Sequence, residues 1–155
     1  MVEIFGIRFH VPNEYGHVLN EILESVPIQD YIWKVDLEDI FPSPYINNFN
    51  LFSQKLLMGN EFIQSLTTSP PYYICFLKLL AFPTKNDVQT ITTFTGLFQS
   101  SCKLAIFFTD AIFVEIYSMD ILILNQLNEN AQKYGYQDIE FIDEIGGKDL
   151  DLMDK

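Results

Sequence analysis

The sequence predicts an α+β domain in which two to four helices pack on a mixed or largely antiparallel sheet of about six strands. The run at 72–82 is apolar and aromatic on both faces, as is typical of a central strand. Two further apolar runs, at 102–109 and 111–118, are separated by a short break that predicts a hairpin. The 155 residues fit a single domain, which we assign to residues 1–145, followed by an acidic tail at 146–155 that we expect to be loose.

The first part of the chain predicts strand, helix and strand. Residues 2–11 alternate, with Arg8 and His10 on the face opposite Phe9. Asn13 is expected to cap a helix that ends before Pro27. Its apolar stripe would contain Tyr15, Val18, Leu19, Ile22 and Val26. Residues 31–36 predict the second strand, so this part of the chain could form a crossover unit.

The middle of the chain is less regular. Residues 42–69 indicate a loop, a short strand or turn near 51–57 and a helix at 60–66. After the strand at 72–82, Pro83 ends the run. Apolar residues at helical spacing favour a helix at 86–100 with Asp87 as its cap, although four threonines in that stretch oppose it. Beyond the hairpin, Asp120 should cap a helix that ends at Gly135, and residues 137–142 predict the last strand.

The register of the hairpin decides the environment of Glu115. A two-residue turn at Asp110–Ala111 would set Glu115 opposite Ile106, among apolar side chains where an unpaired carboxylate is costly. A three-residue turn at 109–111 would set it opposite Ala105, with Lys103 within reach. The second register keeps Ile112, Val114 and Ile116 for the core, so we favour it. Glu115 would then mark the partly exposed face of a strand.

The charge of the chain narrows the classes of partner. The formal net charge is −12, and the acids are concentrated in residues 1–50 and 110–155. This distribution disfavours nucleic acid and anionic membranes, which both require clustered basic residues. The favoured interpretation is a charge excess that keeps the protein in solution, and the alternative is a surface that attracts a basic protein. No apolar run approaches the length that spans a bilayer, and no secretory signal opens the sequence. With two cysteines set in apolar runs, we expect a cytoplasmic protein.

Arg8, His10 and Glu115 are the candidates for a catalytic or ligand-binding site. Arg8 and His10 share a strand face, and Arg8 is the single arginine of the chain. A guanidinium beside an imidazole could bind a carboxylate or phosphate group. The alternative is that Arg8 pairs with a neighbouring acid such as Glu3 or Glu115, and this alternative is favoured.

Other residues give less indication of chemistry. His17 has Glu14 three residues before it and Glu21 four residues after it, a spacing more typical of a solvated helix face than of a metal site. Cys102 adjoins Lys103, which could lower the pKa of the thiol, but no general base is evident beside it. The "IGGKD" run at 145–149 lacks the spacing of a phosphate-binding loop. We therefore expect no cofactor and no metal.

The segment "SSCKLAIFFTDAIFVEIYSMD", the helix after it and "YQDIEFIDE" carry a family resemblance. Residues 100–143 resemble a family of small uncharacterised proteins from spore-forming Gram-positive bacteria. The resemblance implies a bacterial cytosolic protein of unknown function, and it supplies no catalytic residues.

Two functions remain open. The favoured one is a non-enzymatic domain, immunity-like or regulatory, that binds another protein, and a basic protein is one candidate partner. The alternative is a small enzyme or ligand-binding protein with a pocket near Arg8, His10 and Glu115. A binding domain requires an exposed apolar or aromatic patch rimmed by acids, whereas an enzyme requires a concave site with converging polar groups and shifted pKa values.

Overall fold

A computed structural model describes residues 3–42 and 50–143. Within these residues the chain forms one seven-stranded sheet and four helices. The strands are β1 (Gly6–His10), β2 (Ile32–Pro42), β3 (Leu56–Met58), β4 (Tyr72–Phe82), β5 (Leu104–Thr109), β6 (Phe113–Tyr117) and β7 (Gln137–Ile142). The helices are α1 (Val18–Ile22), α2 (Gly59–Thr68), α3 (Phe94–Gln99) and α4 (Ile121–Lys133).

The strand order is β3-β2-β4-β5-β6-β1-β7, and every neighbouring pair is antiparallel. The predicted α+β class is confirmed, with one strand more than the six expected. The predicted crossover unit at the start of the chain is wrong, because β1 inserts between β6 and β7 whereas β2 pairs with β3 and β4. The tail at 146–155 and the "IGGKD" run fall outside the described residues.

The central strand is where the sequence predicts it. β4 spans Tyr72–Phe82 and lies between β2 and β5. Six consecutive residues at its end, 77–82, are buried, as expected of a strand with both faces covered. The predicted last strand at 137–142 and the helix capped by Asp120 are also confirmed. The Asp120 side chain accepts a hydrogen bond of 3.0 Å from the Leu122 N–H, and Gly135 ends the helix with a φ of 73°.

The two faces of the sheet are covered to different extents. The larger core lies on one face and includes buried residues of α1, α2 and α4. A smaller core lies on the other face, where α3 and the segment before it pack on one end of the sheet. We call this the covered end; its strand residues are Leu80, Phe82, Ala105, Phe107, Tyr117 and Ile142. None of the helices in the described ranges is long and apolar enough to cross a membrane.

The first helix is shorter than predicted. It begins at Val18 because residues 13–16 interact with the start of β4 instead. Asn13 accepts a hydrogen bond from the Tyr73 hydroxyl, and Gly16 exchanges backbone hydrogen bonds of 3.0 and 2.8 Å with Tyr72. The prediction of Asn13 as a helix cap is therefore wrong.

The helix predicted at 86–100 is confined to its second half. Thr93, rather than Asp87, caps α3, and its side chain accepts a 3.0 Å hydrogen bond from the Gly96 N–H. Residues 88–93 are held on the sheet by two lysines: Lys34 Nζ donates to the Gln89 carbonyl and Lys78 Nζ to the Ile91 carbonyl, each at 3.1 Å. Asp36 lies between them, 3.2 Å from Lys34 Nζ and 3.6 Å from Lys78 Nζ.

Candidate functional site

The β5–β6 hairpin fixes the position of Glu115. Thr109 pairs with Phe113, so the turn has three residues, Asp110 to Ile112. Asp110 and Ala111 have φ values of 52° and 70°, and the Ala111 N–H donates a 3.0 Å hydrogen bond to the Cys75 carbonyl. These constraints set the turn one residue later in the chain than the favoured three-residue register.

Glu115 consequently pairs with Phe107, rather than with Ile106 or Ala105. Both predicted partners are wrong, and so is the predicted proximity of Lys103, because Ala105 occupies the position opposite Tyr117. The favoured assignment of faces is confirmed for the strand: Val114 and Ile116 belong to the larger core, whereas Glu115 is half-buried on the opposite face.

Arg8 stands between two carboxylates. β1 lies between β6 and β7, so Arg8 is paired in register with both Glu115 and Glu140. Arg8 Nε is 3.4 Å from Glu140 Oε1, and it is buried without forming a hydrogen bond. The contact is therefore an ion pair of poor hydrogen-bond geometry. The expectation that Arg8 pairs with a neighbouring acid is confirmed, although the acid in contact is Glu140.

Glu115 also interacts with the covered end of the face. Burial, the negative charge of Glu115 and a hydrogen bond with that carboxylate all raise the pKa of Tyr117. The phenol is thus held protonated and can donate to Glu115. The carboxylate lies at the boundary between the buried phenol and the solvent.

His10 is oriented by a neighbouring strand and a neighbouring ring. Its Nδ1 lies 2.8 Å from Asp138 Oδ2, and its ring packs edge-on to Phe113 with centroids 4.8 Å apart. Asp138 has a φ of 54° at an irregularity in the β1–β7 pairing. Such irregularities redirect side chains, and Asp tolerates positive φ better than most residues, so the backbone at this position directs Asp138 towards His10.

These side chains line a cleft of about 440 Å³ at the end of the sheet face that α3 leaves uncovered. We call it the open end; it is lined by Arg8, Phe9, His10, Thr109, Phe113, Val114, Glu115, Asp138 and Glu140. The three residues predicted as site candidates are thus brought together, and a role for them in catalysis stays a prediction. With three carboxylates and one guanidinium, the cleft suits a cation better than an anion.

The other predicted candidates are not brought together. Glu14 precedes α1, so it does not share a helical face with His17 and Glu21. The His17 ring donates to the Ser69 carbonyl at 3.1 Å, and Glu21 accepts a 2.5 Å hydrogen bond from the Tyr136 hydroxyl. Across residues 3–42 and 50–143, no group of three or more His, Cys, Asp or Glu side chains could hold a metal ion.

Neither cysteine has the environment of a nucleophile. Burial raises the pKa of Cys102 to about 11, so the thiol is protonated at neutral pH. The interpretation that Lys103 lowers this pKa is therefore wrong. Burial and the nearby carboxylates of Asp39 and Asp110 raise the pKa of Cys75 as well.

Glu38 is a carboxylate in a partly apolar setting that the sequence analysis missed. It lies on β2 opposite Leu77, with its side chain 24% exposed and Lys55 Nζ 4.0 Å away. Burial raises its pKa, and Lys55 opposes the shift. The prediction ended this strand at residue 36, although no proline or glycine interrupts the chain before Pro42. The absence of a strand-breaking residue before Pro42 was the signal in the sequence that β2 continues past residue 36.

Comparison with known proteins assigns the chain to a family. Residues 4–149 match the model of DUF2691, described as a protein of unknown function. Over 139 residues the chain is 33% identical to the uncharacterised protein YncE of Bacillus subtilis (strain 168), a match that covers 88% of this chain and 90% of the relative. No solved structure matches.

The chain therefore belongs to the DUF2691 family. This confirms the predicted resemblance to uncharacterised proteins of Gram-positive bacteria. The match extends over nearly the whole chain, beyond the 100–143 segment from which the resemblance was inferred.

Proposed function

We propose that this member of the DUF2691 family is a non-enzymatic domain that binds a basic protein through the open end of its sheet, as an inhibitor or regulator of that protein. The observation that carries the proposal is the composition of the cleft. An exposed aromatic side chain, Phe113, stands among the carboxylates of Glu115, Asp138 and Glu140.

The charge of the chain supports a basic partner. The formal net charge is −12, and three carboxylates face one guanidinium in the cleft. A summed field of one sign accelerates the encounter with a partner of opposite sign and disfavours acidic competitors. We therefore propose the cleft as the docking site for a basic partner.

The anatomy of the open end also supports protein binding. Protein interfaces commonly combine aromatic residues near the centre with a polar rim. Phe113 is 43% exposed, yet it is carried on a strand paired on both sides. A side chain presented by paired strands loses little freedom on association, which favours affinity.

The pairing of Arg8 and His10 argues against a catalytic role for them. Each already contacts a carboxylate, Glu140 or Asp138 respectively. The volume of the cleft, about 440 Å³, nevertheless lies in the range of small-molecule sites. A small-ligand-binding protein therefore remains the alternative function.

Affinity capture with matched variants tests the proposal. The immobilised protein is exposed to a Bacillus subtilis lysate at about 0.05 M and about 0.5 M salt, a range over which the screening length falls well below 10 Å. The cleft variant combines Phe113→Ala, Glu115→Gln and Glu140→Gln. The control combines Leu122→Ala, Asp30→Asn and Glu129→Gln, which removes one exposed apolar side chain and two charges outside the cleft.

We expect the wild type and the control to retain the same basic proteins at low salt, with strong loss at high salt. The cleft variant should retain few of them. Equal recovery by the cleft variant and the wild type would contradict the proposal, as would recovery that does not respond to salt.

A further inference from the structure

We propose that the cleft takes an arginine side chain of the partner, with its guanidinium stacked on Phe113 and bonded to the carboxylates of β7. This inference rests on the proposed function, since it names the group by which the basic partner is recognised. The contacts, the exposure and the charge of the open end each support it.

The charge of the cleft specifies a cation. With histidine counted as neutral, three carboxylates and one guanidinium leave a formal charge of −2. An anionic ligand would approach Glu115, Asp138 and Glu140 at short range, and Arg8, paired in register between two of these acids, could not offset that repulsion. A partner cation would offset the negative charge.

The carboxylates of β7 are available to a partner. The side chains of Asp138 and Glu140 are 71% and 63% exposed. Glu140 Oε1 lies 3.4 Å from Arg8 Nε, and Asp138 Oδ2 lies 2.8 Å from His10 Nδ1. Each carboxylate can therefore accept further hydrogen bonds from a fork of N–H donors.

The aromatic wall distinguishes arginine from lysine. Phe113 and His10 stand perpendicular to each other with centroids 4.8 Å apart, and Phe113 remains partly exposed. A guanidinium is planar and weakly hydrated, so it can stack on a ring while its edge bonds to carboxylates. A lysine ammonium is a compact, strongly hydrated charge and offers no plane to stack.

The volume suits an anchor residue together with its neighbours. At about 440 Å³ the cleft has room for a long side chain and part of the backbone that carries it. Arginine and aromatic residues are the side chains most enriched among those that dominate protein interfaces. The open end thus combines the Phe113 ring, on which a guanidinium can stack, with carboxylates that can bind its positive charge.

Tripeptides provide the test, because they carry one side chain each. Acetyl-Gly-Arg-Gly-amide is titrated into the ¹⁵N-labelled full chain and followed by NMR, beside the lysine and citrulline analogues. Citrulline keeps the shape of arginine without the charge. We expect shifts at β1, β6 and β7 around the cleft, affinity for arginine at least about threefold higher than for lysine, and no binding of citrulline.

Three single variants assign the contacts. Phe113→Ala should reduce the preference for arginine over lysine, because it removes the stacking surface. Asp138→Asn keeps a side chain that tolerates positive φ, and it should weaken both charged peptides several-fold. Glu129→Gln, on the exposed side of α4, should change neither. Equal affinity for arginine and lysine, or shifts outside the cleft, would overturn the inference.

The two proposals fail in different ways. If the arginine peptide leaves the cleft resonances unchanged while the cleft variant still loses its protein partners, the arginine inference is wrong and protein binding stands. If the peptide binds in the cleft but protein capture does not depend on cleft residues, the protein-binding proposal is wrong and the guanidinium site stands.

Discussion

The covered and open ends of one sheet face share strands β5, β6 and β7 but have opposite environments. On β6, Tyr117 is 3% exposed beneath the smaller core, Glu115 is half-buried, and Phe113 is 43% exposed. All three side chains point to the same face because they are two residues apart. Strand alternation therefore assigns the face, whereas α3 and the segment before it determine which end of that face is buried.

On the neighbouring strand β1, the surroundings of alternate residues change in the same way from the covered end to the open end. Gly6 lies at the covered end, where a Cβ atom would come within 2.3 Å of the Ile116 carbonyl oxygen. Arg8 lies among acids, and His10 lies at the open end against Phe113 and Asp138. The covered end is buried beneath the smaller core, whereas the open end is the accessible surface that we propose as the binding site.

The largest expected effect is at the covered end. Phe107→Ala removes a ring that is 1% exposed in the smaller core and opposite Glu115. Truncation of a buried phenylalanine loses apolar burial and leaves a cavity, so we expect a loss of about 3–5 kcal/mol in the free energy of unfolding. Urea unfolding measures it. A loss below about 1 kcal/mol would show that the covered end is not packed as described.

The second effect concerns the segment that provides the cover. Asp36→Ala removes the carboxylate that lies between Lys34 and Lys78 beneath residues 88–93. Because Lys78 is buried, we expect a loss of about 3 kcal/mol, together with faster amide exchange in that segment. Asp39→Ala on the same strand is the control, with an expected loss below about 1 kcal/mol. Equal losses for the two variants would contradict this role of Asp36.

A smaller effect on stability is expected at the open end. Phe113→Ala truncates an exposed ring on the same face as Phe107, and the expected loss is below about 1 kcal/mol. Thermal unfolding of the Phe107 and Phe113 variants side by side compares the two ends directly. A loss for Phe113→Ala as large as that for Phe107→Ala would remove the distinction between them.

The smallest expected effect is a gain in stability, whereas the three variants above lose stability, and this gain depends on pH. The raised pKa of Glu38 means that the folded state holds this proton more tightly than the unfolded state, so stability is highest below the unfolded pKa. Stability falls as pH rises through the folded pKa and is then constant. Glu38→Gln should therefore stabilise the fold at pH 7, by less than about 1 kcal/mol for a group this accessible, and the gain should vanish near pH 4.

Urea unfolding at both pH values checks the Glu38 prediction. A gain that persists unchanged near pH 4 would assign the effect to packing rather than to charge. A loss at pH 7 would show that the ion pair with Lys55 outweighs burial.

Local patterns predicted the elements, while contacts distant in sequence determined the site. β4 was predicted from a long apolar run, and α4 from an apolar stripe between clear terminal residues; β7 was predicted as well. The length of α1 was not predicted correctly, because residues 13–16 bond to β4 rather than continue the helix. Asp138 and Glu140 were missed as cleft residues because the pairing of β7 with β1 cannot be deduced from either strand alone.

Glu115 illustrates the same limit. Its face was predicted from the requirement to bury Val114 and Ile116, which alternation makes local. Its neighbours were wrong because the hydrogen bond from Ala111 to Cys75 helps to set the turn, and that contact joins residues far apart in the chain. A fold of this kind can be assigned from sequence more securely than the composition of its clefts.

The proposed division of one sheet face into a structural end and a binding end is tested by the Phe113→Ala variant alone, in the affinity capture at low salt. We expect this variant to unfold within about 1 kcal/mol of the wild type and yet to recover only a small fraction of the basic proteins that the wild type retains. Full recovery of those proteins by a folded Phe113→Ala variant would contradict it.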